Sequence, residues 1–252
     1  MKDLVGDQID LDNIPFYGLA EVTVGGRSCV ISQTGFSGES GYEIYLRNAT
    51  LYADDMWDAV LEAGKKHNLM VIAPAHHRRI QAGILSWGQD LDHEHNPFQC
   101  NLGYQVSLSG KGEWEKKGDY IGKQALEKMK ADLKDGHKPY KLQLVGFEIG
   151  GKPIDEYAPD FWLVSPGDGG DPCGFITSPW YHPEKGKNIA MGYIPFDGTL
   201  NPNGFPKWEL GKKFKVHLPD IYADEPGVPV DAVTVDVPFT ESFNANTREV
   251  VK

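Results

Sequence analysis

The sequence predicts an α+β fold followed by an all-β barrel. Two observations carry this. Helix-type apolar spacing is confined to residues 50–136, behind an opening stretch of β-prone runs and turns. From Lys141 onward helix signals vanish, and short β-prone runs recur between Pro, Gly and Asp. The boundary falls near Gly136-His137-Lys138-Pro139, giving 1–136 as an α+β part and 137–252 as a β-barrel part.

In the opening stretch, Arg27–Ser32 is a short β-prone run. A turn with three glycines follows, from Gln33 to Gly41. The next segment alternates with period two, so Tyr42, Ile44 and Leu46 share one face while Glu43, Tyr45 and Arg47 share the other. Residues 50–67 read as a helix, capped by Asn48 or Thr50, with Met56, Trp57, Val60 and Leu61 as its apolar stripe. Leu69–Ile72 reads as a short buried strand. Pro74 suits the first turn of a helix from Ala75 to Leu85, and another helix opens at Gly122 after the turn Gly118–Ile121. The β-prone runs of the second part are Leu142–Ile149, Phe161–Val164, Gly174–Thr177, Ile189–Ile194, Phe214–Leu218 and Ala232–Val237.

Composition narrows the function classes. Lys and Arg number 25 against 36 Asp and Glu, a net charge of −11, which argues against nucleic acid as a partner. No apolar run approaches the ~18 residues of a membrane span. The first residues lack the apolar core of a signal peptide, and Cys29, Cys100 and Cys173 are too scattered for a disulfide framework. The expectation is a reduced, cytoplasmic protein without a membrane partner.

Three groups of residues could carry chemistry. On the strand after the glycine-rich turn, the Glu43 carboxylate could accept two parallel hydrogen bonds from the planar N–H/NH₂ edge of a pterin or guanine. Phe36 or Tyr45 could stack on such a ring. The plainer alternative is a hairpin whose Glu43 faces water. His76-His77-Arg78-Arg79 is a dense basic spot near a helix start. A helix spreads the four side chains about 100° apart, so they cannot all face one ligand. Either histidine could act as a general acid, or the spot is a solvated helix start with Arg79 paired to an acid. Trp180, Tyr181 and His182 fall in a Pro-bounded loop, lining a ligand site or plugging a barrel end. Asp90 to Asn96, with Cys100 beyond, contains metal-ligand residue types but reads as a polar loop, and no metal is expected.

Thr34-Gly35-Phe36-Ser37-Gly38-Glu39-Ser40-Gly41-Tyr42-Glu43-Ile44 resembles a signature of the glycine-cleavage T-protein superfamily, the tetrahydrofolate-dependent aminomethyl- and methyltransferases. Arg79–Gly83, Gly118–Leu126, Cys173–Ser178 and Asn188–Tyr193 resemble further motifs of that family, in the same order. The resemblance covers roughly residues 15–240. The ending Glu43–Leu46 and the stretch Thr177–Pro183 look closer to its O-demethylase branch, which takes methyl groups from methoxy aromatics of vanillate or syringate type.

The resemblance implies a tetrahydrofolate site in which Glu43 holds the pterin and Phe36 and Tyr45 line its pocket, with Trp180 from the second part as a further candidate. His76 or His77 would polarise the leaving oxygen of a small-molecule methyl donor. Lys185, Lys187 and Lys207 offer charge for a folate glutamate tail, or are ordinary surface lysines. Family members are much longer at the N-terminus, and Ala75 stands where aminomethyltransferases carry an arginine. Two other readings stand beside this one, the first motivated by the short length and the second weakened by the missing arginine. One is a non-catalytic folate-binding subunit needing a partner chain, or a second copy of itself, to complete the fold. The other is a glycine-cleavage aminomethyltransferase.

Overall fold

The computed structural model describes residues 1–108 and 119–239. These form two compact units, one from Met1 to Ala82 and one from Gly83 onward.

The first unit is built on a three-stranded antiparallel sheet, β1 (Leu19–Val24), β2 (Arg27–Ser32) and β3 (Glu43–Leu46), in that order. Gly25 and Gly26 both take left-handed φ, the geometry that a two-residue hairpin needs to match strand twist. The alternation expected for residues 42–47 holds. Tyr42, Ile44 and Leu46 pack with Val22, Val24, Cys29 and Ile31 in one apolar cluster. Two helices complete the cluster, α1 (Lys2–Val5) through Val5 and α2 (Ala49–Gly64) through Met56, Ala59 and Val60. Helix α2 starts at left-handed Asn48 and ends in a 3-10 turn, Lys65–His67, closed by left-handed Asn68.

Two expectations in this unit need correction. Leu69–Ile72 is neither a strand nor buried, because no strand of the unit runs alongside to pair with it. The helix expected over 75–85 is a six-residue α3 (His76–Gln81), since Gly83 follows with φ 66° and turns the chain away.

In the second unit, α4 (Lys123–Lys134) begins after left-handed Gly122 and presents Leu126, Met129 and Leu133 to Phe98, Tyr140, Phe196 and Phe205. The segment ahead of residue 136 thus shares a core with the β-rich part that follows. Gly118, which opens the expected turn, lies outside the described residues.

Six strands then close an antiparallel barrel: β4 (Leu142–Ile149), β5 (Trp162–Pro166), β6 (Gly174–His182), β7 (Lys187–Pro195), β8 (Lys213–Val216) and β9 (Val230–Val235), in the order β4-β7-β6-β5-β8-β9 with β9 returning to β4. Closure removes free sheet edges. All six β-prone runs of the sequence become strands. Val145, Phe147, Val164, Ile176, Phe214 and Val216 are among the residues filling the core.

Strand β6 is longer than its sequence suggests, so Trp180 lies within a strand rather than in a loop. Pro179 ordinarily argues against a strand interior. Here β5 pairs only with residues 174–176 of β6, and from Ser178 on β7 is the strand partner, so the missing N–H breaks no ladder. No helix among the described residues is long and apolar enough to cross a membrane. The three cysteines are free thiols, Cys29 and Cys100 buried and Cys173 half-buried.

Candidate functional site

The turn from Thr34 to Tyr42 leads directly into β3, and its geometry sets what Glu43 can do. Of its three glycines only Gly38 is left-handed, with φ 79°. Gly35 is exposed, and a Cβ built there would have no other heavy atom within 4 Å. Its lack of a side chain serves no internal packing and leaves the backbone open to close approach.

Glu43 is half-buried at the start of β3. Its Oε2 accepts a hydrogen bond from the Tyr45 hydroxyl at 2.9 Å and a very short one from the Thr34 hydroxyl. The first follows from period two, which puts residues 43 and 45 on one side of the strand. The second depends on the turn, which folds Thr34 back over nine residues. Both lone-pair directions of Oε2 are thereby used. Oε1 receives no hydrogen bond from any described residue, and no ion pair neutralises the carboxylate. The accepted bond holds the Tyr45 phenol above its ordinary pKa, because ionisation would set a phenolate against Glu43. Tyr45 and Phe36 are both about half exposed, and Phe36 has no aromatic partner among the described residues.

Helix α3 is tied to this turn. Arg78 lies 3.4 Å from Glu39, an exposed pair that adds little stability but brings the helix start beside the glycine-rich segment. His76 and His77 are half-buried in the first turn of α3. Arg79 Nε lies 3.5 Å from His76 Nδ1, a long hydrogen bond. His77 has its pKa lowered, by burial first and then by the neighbouring Arg78 charge. Arg79 itself is fully buried. The first unit therefore gathers Thr34, Glu43 and Tyr45 into one hydrogen-bonded group, with Glu39 and Arg78 linking α3 to the turn. The sequence assigns no site role to Thr34 or to a Glu39–Arg78 pair. The hydroxyl at the head of the turn was the available signal for Thr34.

A second polar constellation lies inside the other unit. Asp90 is buried, not part of a solvated loop, and its Oδ1 accepts from Thr177 Oγ1 at 2.5 Å and Ser178 Oγ at 2.6 Å. Neighbouring residues of a regular strand face opposite ways. The register shift between Ile176 and Ser178 lets both hydroxyls reach one oxygen. Asp90 Oδ2 accepts from Ser86 N–H at 2.8 Å, and the Tyr193 hydroxyl donates to the Asp90 carbonyl at 2.6 Å. Among the described residues, no group of three or more His, Cys, Asp or Glu converges as a metal would require.

Residues 1–110 match the family model of the GCVT N-terminal domain. The aminomethyltransferase of Halothermothrix orenii is 31% identical over 191 residues, which are 75% of this chain and 48% of that protein. The aminomethyltransferase of Alkaliphilus oremlandii is 32% identical over 202 residues, 78% of this chain and 48% of that protein. The crystal structure of glycine cleavage system aminomethyltransferase T from Bartonella henselae superposes with a TM-score of 0.63 at 19% identity, over 93% of this chain and 55% of that one. The chain belongs to the glycine-cleavage T-protein superfamily. It spans about half the length of the curated relatives it matches.

Within this T-protein superfamily member, the motif segments occupy defined places. Thr34–Ile44 is the glycine-rich turn and the start of β3, Arg79–Gly83 is the end of α3, and Cys173–Ser178 leads through the β6 bulge onto Asp90. Trp180, half-buried in β6, belongs to the second unit, whereas Phe36, Glu43, Tyr45, His76 and His77 belong to the first.

Proposed function

We propose that this chain binds tetrahydrofolate and serves a one-carbon transfer to it, with a methoxy aromatic of vanillate or syringate type as methyl donor. One observation carries the reading: a half-buried carboxylate with one oxygen fixed by two hydroxyls and the other, Oε1, without a hydrogen-bond partner among the described residues, at the end of the turn that contains the open backbone of Gly35. A reduced pterin presents a flat N–H/NH₂ edge to such an acceptor. Oε1 takes one donor directly, and the second reaches Oε2 when the Tyr45 hydroxyl swings aside. The exposed rings of Phe36 and Tyr45 supply apolar faces for the heterocycle.

In the transfer the bond between methyl carbon and aryl oxygen breaks, a bond from that carbon to N5 of tetrahydrofolate forms, N5 loses its proton, and the aryl oxygen gains one. Holding the two reactants in line is the main contribution of the protein. His76 or His77, both half-buried in the first turn of α3, donates a hydrogen bond to the leaving oxygen. The relatives' names favour a second reading, transfer of an aminomethyl group with release of ammonia.

The test is calorimetric titration of the chain with tetrahydrofolate, in the wild type and in Glu43→Ala. Loss of a charge-assisted pair lowers affinity roughly 10- to 150-fold. Equal affinity in both proteins would reject Glu43 as the pterin-holding group. Product analysis with syringate or vanillate against an aminomethylated carrier protein separates the donors: 5-methyltetrahydrofolate supports the first, ammonia the second.

A further inference from the structure

Four barrel strands reach one end together: β5 finishes at Pro166, β6 starts at Gly174, β7 finishes at Pro195 and β8 starts at Lys213. A cavity of about 560 Å³ lies at this end, inside the second unit. Its floor is apolar. Phe214 belongs to the barrel core, Cys173 packs against that core, and Pro166 and Pro195 stand beside them. A Cβ at Gly167 would lie 2.8 Å from both the Cβ and the carbonyl oxygen of Lys213, so the missing side chain lets the β5–β6 connection close against β8 as a wall.

The rim carries charge. Lys212 and Lys213 line the cavity against one lining carboxylate, Asp168. The Lys212 backbone is pinned by Thr234, which accepts from its N–H through Oγ1 and donates to its carbonyl, both at 3.0 Å. The Lys212 ammonium stands 5.8 Å from the centre of the Phe214 ring. Its charge also reaches Cys173: burial raises the thiol pKa, and a backbone hydrogen bond and Lys212 oppose the rise. At Asp197, burial is outweighed by the Thr199 hydrogen bonds and the Lys212 and Lys138 charges. Lys215 is paired with Asp231 at 2.7 Å, whereas neither Lys212 nor Lys213 has an ion pair among the described residues.

We propose that this end of the barrel binds a small organic anion, an anionic head on an apolar body. Two ammonium groups without ion pairs, set over an apolar floor in a chain of net charge −11, are complementary to that kind of molecule. The volume lies within the roughly 300–1,000 Å³ of small-molecule sites and far exceeds that of a bare inorganic ion. Lysines offer point charges without the planar fork of arginine, so the head is selected by its charge rather than its shape. The inference goes beyond the folate reading and uses none of its residues.

Cys173 reports on the cavity, because it is half-buried while Cys29 and Cys100 are fully buried. Its alkylation by iodoacetamide, an uncharged reagent, is followed by peptide mass spectrometry on the full 252-residue chain, with the other two thiols as slow references. The probes are 2-naphthoate and 2-naphthyl phosphate, which differ in the head, against uncharged 2-naphthamide and inorganic phosphate. Either naphthyl anion at saturation slows alkylation roughly fivefold or more. The amide and inorganic phosphate, each lacking half of the required chemistry, protect only at roughly tenfold higher concentration or not at all. In the double variant Lys212→Gln, Lys213→Gln the half-protecting concentration of naphthoate rises roughly 3- to 10-fold. That concentration does not depend on the intrinsic reactivity of the thiol, so a changed thiolate fraction does not imitate the effect. Both lysines are exposed, and the variant keeps the wild-type urea midpoint. Absence of protection by both naphthyl anions at about 10 mM overturns the proposal. Equal protection by the amide, or an unchanged half-protecting concentration in the double variant, overturns it too. Glu43→Ala leaves the protection as in wild type, so this outcome is distinct from that of the folate reading.

Discussion

The Tyr45 hydroxyl donates to Glu43 Oε2 across 2.9 Å, two residues apart on one face of β3. Tyr45→Phe frees a lone pair on Oε2 while keeping the ring. If tetrahydrofolate grips both carboxylate oxygens, affinity rises slightly or holds, whereas Glu43→Gln lowers it roughly 10-fold or more. Calorimetry on the two variants checks this. Ultraviolet titration gives a companion readout: the tyrosinate step of Tyr45 lies above its ordinary value and moves down in Glu43→Gln, because the carboxylate charge behind the shift is gone.

Gly35 and Gly192 make an opposed pair of tests. In Gly192→Ala the new Cβ lies 2.5 Å from the Phe175 carbonyl oxygen and 3.0 Å from Ile176 Cα, inside the paired β6–β7 ladder. The expected loss is about 1–3 kcal/mol, read from a urea unfolding midpoint. Gly35→Ala meets nothing within 4 Å, so its stability stays within about 0.5 kcal/mol of wild type. A fall in tetrahydrofolate affinity in Gly35→Ala, with unchanged unfolding, locates the ligand against that backbone.

Asp90→Ala removes the buried acceptor shared by the Thr177 and Ser178 hydroxyls and the Ser86 N–H, while Thr177 keeps the Met191 carbonyl at 3.1 Å. The expected cost is about 3 kcal/mol, again by denaturant unfolding. Ser178→Ala alone removes one donor and leaves Asp90 with the others, so it costs about 1 kcal/mol.

His182 is buried in β6, and neither ring nitrogen has a hydrogen-bond partner among the described residues. Burial, then the Lys185 charge, lowers its pKa. The unfolded chain protonates this imidazole near its ordinary value of about 6.5, while the folded chain resists until lower pH. Stability is therefore full above pH 6.5 and declines as pH falls through that value toward the folded pKa. His182→Leu removes two unsatisfied polar atoms and flattens this dependence. Thermal unfolding of both proteins between pH 7.5 and about 5 measures the difference, with His77 adding a term of the same sign.

Local pattern alone determined the faces of β3, the positions of the six barrel strands and the placement of Glu43 and Tyr45 on one face, because period-two alternation and turn residues act within a few positions of the chain. Tertiary structure decided the rest. Thr34 reaches Glu43 through a turn whose path no propensity specifies. Thr177 and Ser178 converge on Asp90, nearly ninety residues earlier, only because a bulge redirects adjacent side chains. Trp180 joins a strand because the neighbouring strand stops short of Pro179. Leu69–Ile72 carries the composition of a buried strand and stays bare, since composition encodes a preference for pairing while the partner must come from elsewhere in space.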